Sequence, residues 1–164
     1  MKLVDANVLL YAVNADSRHH DASRDWLDGA LSGGDRVGFT TLVLTAYVRL
    51  TTKPGVLPRP LTVSQALGSV RAWLATDFSV LLHPGPRHLD LMTEILEEVG
   101  TGGNLVNDAV LGAIAREHRA TVVSWDNDFA RLPGVRWARP VDLPLRSDEG
   151  ALAESVDGEA ATEG

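Results

Sequence analysis

Residues 121–131 read TVVSWDNDFAR, and residues 2–12 read KLVDANVLLYA. Each is a short β-branched or aliphatic run that stops at a carboxylate: Asp5 in the first, Asp126 and Asp128, after Ser124, in the second. An apolar run of this length, bounded by polar residues, reads as a strand buried on both faces. Two strands that end in acids raise the question of what the acids meet there.

The segments between them supply the fold. HHDASRDWLDGALSGG (19–34) places Ala22, Trp26, Leu27, Ala30 and Leu31 at helical spacing and stops at glycines. GFTTLVLTAYVRLTT (38–52) is too long for one strand and reads as a short strand leading into a helix. KPGVLPRP (53–60) is loop because of its three prolines. LTVSQALGSVRAWLAT (61–76) is a helix with Thr62 as cap. FSVLLHPG (78–85) is a strand. PRHLDLMTEILEEVGTGG (86–103) is a helix opened by Pro86 and closed by glycine. NLVNDAVLGAIAREHRA (104–120) is another, apolar almost all round and therefore packed on the sheet. VRW (135–137) adds one more short strand. Strands alternating with helices predict an α/β domain of three layers, with a mainly parallel central sheet covered on both faces.

The 164 residues suit one domain. Its boundaries are drawn at 1–144. Residues 145–164 hold six acids against Arg146 and few large apolar side chains, so an acidic, disordered and dispensable tail is expected there. The net charge of −7 is mostly that tail; the other 144 residues carry a net of −2. Charge thus neither supports nor excludes a polyanionic substrate. With no cysteine, disulfides and thiol chemistry are excluded. With no apolar run of 18 residues and no basic leader before an apolar core, a cytoplasmic protein without a membrane span is expected. No Walker loop and no dinucleotide fingerprint occurs.

In parallel α/β sheets, ligands bind beyond the carboxyl ends of the strands. Asp5 and Asp126 converge there if their strands are neighbours, and Asp108, in the first turns of the apolar helix, is the third member. Each has a blander reading: Asp5 as a cap, Asp108 as a dipole partner, Asp128 as part of an Asx-turn. Three acids at converging ends are harder to explain that way. Clustered carboxylates repel one another, and a divalent cation removes the conflict. An all-oxygen donor set suits Mg²⁺ or Mn²⁺, with the three acids within about 4 to 8 Å of one another. Such an ion can activate water against a phosphodiester. Asn7 and Ser124 are placed to hydrogen-bond the ligating carboxylates. Because Asp5→Asn would remove one repulsive charge, it is expected to match or exceed the metal-free parent in stability.

LVDANVLLYAV (3–13), LHPGPRH (82–88) and residues 104–137 together resemble the PIN-domain ribonucleases, and more narrowly the VapC toxins of actinobacterial VapBC toxin–antitoxin modules. The resemblance spans residues 1 to 142. It implies an endoribonuclease dependent on Mg²⁺ or Mn²⁺ that cleaves structured RNA such as tRNA or ribosomal RNA. It also implies a VapB-type antitoxin partner and a homodimer. Asp5, Asp108 and Asp126 match the family's metal-ligating acids, Asp128 a frequent additional acid, and Asn7 and Ser124 its polar supports. The family's common glutamate, in the helix after the second strand, is replaced by Ala46 or Tyr47; no glutamate occurs before Glu94. That departure motivates the alternative of a catalytically silent PIN-like module that only binds RNA or a partner. A phosphatase or receiver reading is opposed by Asn7, where a second Asp is wanted, and by the lack of any Lys after Lys53. Arg49, Lys53, Arg59 and Arg87 are the candidate RNA contacts. His19 and His20 read as a solvated helix start. Trp26, Trp73 and Trp125 read as core, with Trp125 also a candidate for exposure near the site.

Overall fold

The computed structural model describes residues 1–33, 35–100, 102–103 and 105–144. The tail expected at 145–164 lies outside them. The strands are β1 (Lys2–Val4), β2 (Val37–Thr40), β3 (Ser79–Leu82), β4 (Thr121–Val123) and β5 (Arg136–Ala138). The helices are α1 (Ala6–Val13), α2 (His20–Leu31), α3 (Thr41–Thr52), α4 (Val63–Leu74), α5 (His88–Val99) and α6 (Leu105–Glu117). Short 3-10 turns cover Asn127–Arg131 and Pro140–Asp142.

The sheet order is β3-β2-β1-β4-β5, and every pairing is parallel. The expected "mainly parallel" sheet is therefore wholly parallel. Parallel strands are joined by right-handed crossovers. From β1 the chain steps outward to β2 and β3; from β3 it returns past β1 to β4 and goes on to β5. Opposite directions of travel place α1–α4 on one face and α5–α6 on the other. The packing agrees: α1 lies against α2 and α3, α3 against α4, and α5 against α6.

The core is what the apolar runs dictate. Leu3, Val4, Val37, Phe39, Val122 and Val123 have no accessible surface. On α6, Ala109, Ala113 and Ala115 keep the helix close to its neighbours. Gly112 carries this furthest, since a Cβ there would stand 2.9 Å from Val135 Cγ2.

Local chemistry sets the helix ends. Thr40 closes β2 and accepts from Val43 N (3.2 Å), which explains how one continuous Thr- and Val-rich stretch changes from strand to helix. Thr62 and Gln65 form a capping box on α4. Gly100 ends α5 with φ of 72°. α5 begins at His88 with Arg87 as its cap residue, two residues beyond the expected opening at Pro86. Glu117 is the reason: its carboxylate accepts from Gly85 N (2.8 Å) and Arg87 N (3.0 Å), which holds residues 85–87 outside the helix. No helix among the described residues is long and apolar enough to cross a membrane.

Candidate active site

The register of β1 on β4 builds the site. Lys2, Leu3 and Val4 pair with Thr121, Val122 and Val123. The ladder continues one step further, through Asp5 N donating to Val123 O (3.0 Å), so Asp5 leaves the sheet level with Ser124. β1 and β4 are also the strands from which the chain departs in opposite directions, the crevice in which parallel sheets hold ligands.

Asp5 is both the cap of α1 and the centre of a network. Its Oδ1 accepts from Ala6 N (2.6 Å), and its Oδ2 accepts from Asn7 Nδ2 (2.7 Å) and Ser124 Oγ (2.7 Å). Asn7 Nδ2 also donates to Ser124 Oγ (2.8 Å), and Asn7 Oδ1 accepts from Trp125 N (3.2 Å). Ser124 Oγ accepts in turn from Asp126 N (2.9 Å). Asn7 and Ser124 thus tie the end of β1 to the end of β4. Burial pushes the Asp5 carboxyl up; the bonds from Ser124 and Ala6 pull against that, and Asp126 adds repulsion.

Asp108 lies in the first turn of α6, half-buried. Its carboxyl is pushed up to about 6, first by burial and then by the charges of Asp126, Asp5 and Asp128. The four acids therefore share one field. Asp126 is exposed, and its Oδ1 accepts from Asp128 N (2.9 Å) to cap the 3-10 turn. The Asx-turn considered for Asp128 is made by Asp126 instead. Asp128 turns to Arg131, 3.2 Å away.

Among the described residues no three His, Asp or Glu side chains converge into a closed metal cage. The carboxylates approach one edge without closing on it. Their chemistry nevertheless fits a hard divalent cation: all donors are oxygens, they repel one another, and Mg²⁺ keeps several waters of its own. Tyr47 does not replace the family's glutamate. It is fully buried, with its ring edge-on to Trp73 at 4.8 Å, in the contact of α3 with α4. Ala46, half-buried beside it, brings no carboxylate.

The candidate RNA contacts fall elsewhere. Arg49 and Lys53 are exposed at the far end of α3, about 12 and 18 Å along the helix axis from its start at the end of β2. Arg59 is exposed in the proline loop. Arg87 stands beside Glu117, about 13 Å along α6 from Asp108. None of the four lies where the acids converge.

The histidine pair is not a solvated helix start. His20 Nδ1 lies 3.0 Å from Tyr11 O, and the His19 ring stacks on Trp125 with centroids 3.9 Å apart. Trp125 Nε1 donates to Ser23 Oγ (2.8 Å), and Trp137 Nε1 donates to Ser124 O (3.0 Å). Ser23 was legible in principle, because it stands three residues before Trp26 on the apolar face of α2, where a lone hydroxyl needs a partner. The partner, a tryptophan 102 residues away, was not.

A PIN domain model matches residues 2–135. Ribonuclease VapC37 of Mycobacterium tuberculosis is 59% identical over 143 residues, covering 87% of this chain and 99% of that protein. Ribonuclease VapC25 of the same organism is 41% identical over 140 residues, covering 85% and 99%. Among solved structures, VapBC2 from Rickettsia felis, bound to a DNA fragment from its promoter, superposes with a TM-score of 0.63 at 19% identity, over 84% of this chain and 97% of that one. The chain therefore belongs to the PIN domain family, within it to the VapC ribonucleases, which are metal-dependent nucleases.

Proposed function

We propose that this chain is the toxin of a type II toxin–antitoxin pair, a cytoplasmic endoribonuclease that hydrolyses phosphodiester bonds of structured RNA, tRNA or ribosomal RNA. A VapB-type antitoxin restrains it, and it works as a homodimer. The observation that carries the reading is that Asp5 and Asp126 leave the adjacent strands β1 and β4 at the crevice of the sheet, with Asp108 in the first turn of α6 and Asp128 in the same field. Four carboxylates in one field are tolerable in the folded state when a cation shares them.

Mg²⁺ or Mn²⁺ is the ion proposed, with Asp5, Asp108 and Asp126 as its holders and Asp128 beside them. The ion, when bound, polarises a phosphoryl oxygen and lowers the pKa of an attacking water. The chain's own residues do the positioning. Asn7 and Ser124 fix Asp5 Oδ2 in one direction. Asp126 is exposed, which leaves the edge open to a backbone phosphate. Asp108, without a cation, holds its proton up to pH values where an ordinary Asp has long lost it.

The second reading, a silent module that binds RNA without cutting it, is favoured by the lack of a glutamate at Ala46 or Tyr47 and by the unclosed cage among the described residues. One assay separates the two. Bulk tRNA and ribosomal RNA are incubated with the protein and millimolar Mg²⁺ or Mn²⁺, beside Asp108→Asn. Metal-dependent fragments from the parent and none from the variant are expected. Binding without fragments at any metal concentration would establish the silent module instead.

A further inference from the structure

The arginines near the acidic site are mostly committed. Arg131 pairs with Asp128, and Arg139 makes two bonds to Asp142. Arg18 differs. It is exposed, and among the described residues it pairs with no carboxylate; its Nε donates to His19 Nε2 (3.1 Å). Accepting that bond makes His19 a neutral imidazole with its proton on Nδ1. Burial, followed by the Arg18 charge, holds the His19 pKa below its usual value, in keeping with that form.

His19 is itself fixed from three sides. Its backbone N donates to Ser17 Oγ (3.1 Å), its carbonyl accepts from Ser23 N (3.0 Å), and its ring lies on Trp125. Trp125 closes the loop through Ser23 Oγ and continues through its backbone N to Asn7, which holds Asp5. An unbroken chain of contacts thus runs from Arg18 to the central carboxylate. The guanidinium's two terminal nitrogens bond to nothing among the described residues. A cation with its inner nitrogen anchored and its outer fork free, joined through the His19 ring to Trp125, the residue before Asp126, is placed for an anion that the acids of the site alone would repel.

We propose that Arg18 binds a phosphate of the RNA neighbouring the scissile one, and that His19, stacked on Trp125, positions it. This rests on the endoribonuclease reading above. Arg18 is a binding residue and His19 a positioning residue; neither carries the bond-breaking step.

The test uses the full chain and fluorophore-labelled bulk tRNA. Cleavage with Mn²⁺ is followed at several KCl concentrations for the parent, Arg18→Gln, Arg18→Lys, His19→Ala and the Arg18→Gln/His19→Ala pair. Anisotropy in EDTA measures binding of the same RNA without cleavage. Arg18→Gln is expected to raise KM about tenfold, the scale of one charge-assisted bond, with kcat within about twofold of the parent. The slope of log(kcat/KM) against log[salt] should fall by about one phosphate contact. Arg18→Lys should keep the slope, because the charge remains, while KM rises part of the way. His19→Ala should raise KM with the slope unchanged, and should add nothing once Arg18 is Gln.

A parent-like KM and salt slope in Arg18→Gln would overturn the proposal. Full additivity of the two substitutions would overturn the role of His19. If the parent binds tRNA but does not cut it, the endoribonuclease reading falls, and the anisotropy of Arg18→Gln still decides Arg18. A parent that neither binds nor cuts sinks both.

Discussion

Asp108→Asn should stabilise the metal-free protein above neutral pH and leave it unchanged in acid. The folded carboxyl is raised from 3.8 to about 6. In the unfolded chain it ionises near 4. A group whose folded pKa is raised is destabilising once ionised: stability falls as pH rises from about 4 to about 6, then levels off. Taken at face value the shift corresponds to about 3 kcal/mol. Asp108 is only half-buried, and solvent screening reduces this to about 1 to 1.5 kcal/mol. For a domain of this size that is about 3 °C in Tm. Asparagine keeps the shape and removes the charge. Asp108 makes no hydrogen bond among the described residues that the amide would break. Thermal melts in EDTA at pH 8 and pH 4 should therefore show a gain of about 3 °C for the variant at pH 8 and none at pH 4. Added Mn²⁺ binds the folded site and not the unfolded chain, so the parent should gain about 2.7 kcal/mol at a hundredfold excess over its dissociation constant, and the variant much less. An equal gain at both pH values would refute the electrostatic account. A parent indifferent to millimolar Mn²⁺ would refute the metal site.

The same structure revises the expectation for Asp5→Asn: Oδ1 and Oδ2 accept three bonds between them, so an amide nitrogen would face a donor and the variant should melt below the metal-free parent. Ser124→Ala removes a donor to Asp5 and an acceptor for Asn7 and Asp126; a loss of about 1 to 3 kcal/mol in urea unfolding is expected, and a loss under 0.5 would mean water replaces the hydroxyl. Thr62→Ala should cost about 1 kcal/mol through the lost capping box, while Thr62→Ser restores it; equal melts for both would show the cap to be idle. Gly112→Ala should cost about 1 to 3 kcal/mol, because its methyl would crowd Val135 and Leu132; an unchanged urea midpoint would show that the 132–135 segment yields freely.

The elements, their order and the acids at their ends were legible in the sequence, because buried parallel strands and amphipathic helices carry periodicities that any reader of residues 2–138 can follow. Asp5 and Asp126 announced themselves by ending such runs, and Asp108 by standing in the first turn of an apolar helix. Thr62 announced itself as the cap of its helix, while its reciprocal bond with Gln65 came from the structure. Tertiary structure alone decided what these residues touch. That Asp5 caps α1 and also holds Ser124 depends on the register of β1 on β4, a pairing of segments more than a hundred residues apart. That Asp128 goes to Arg131, and that the cap belongs to Asp126, is settled by side-chain competition within one turn. The basic residues mislead for the opposite reason. An arginine's exposure is readable from composition, but what it stands beside is not: Arg49 and Lys53 fall at the far end of α3, and Arg87, the cap residue of α5, is held by Glu117 at the far end of α6. His19 reads as solvated until the crossover from α1 to α2 lays it on Trp125; no local pattern encodes a stack between residues that the fold alone brings together.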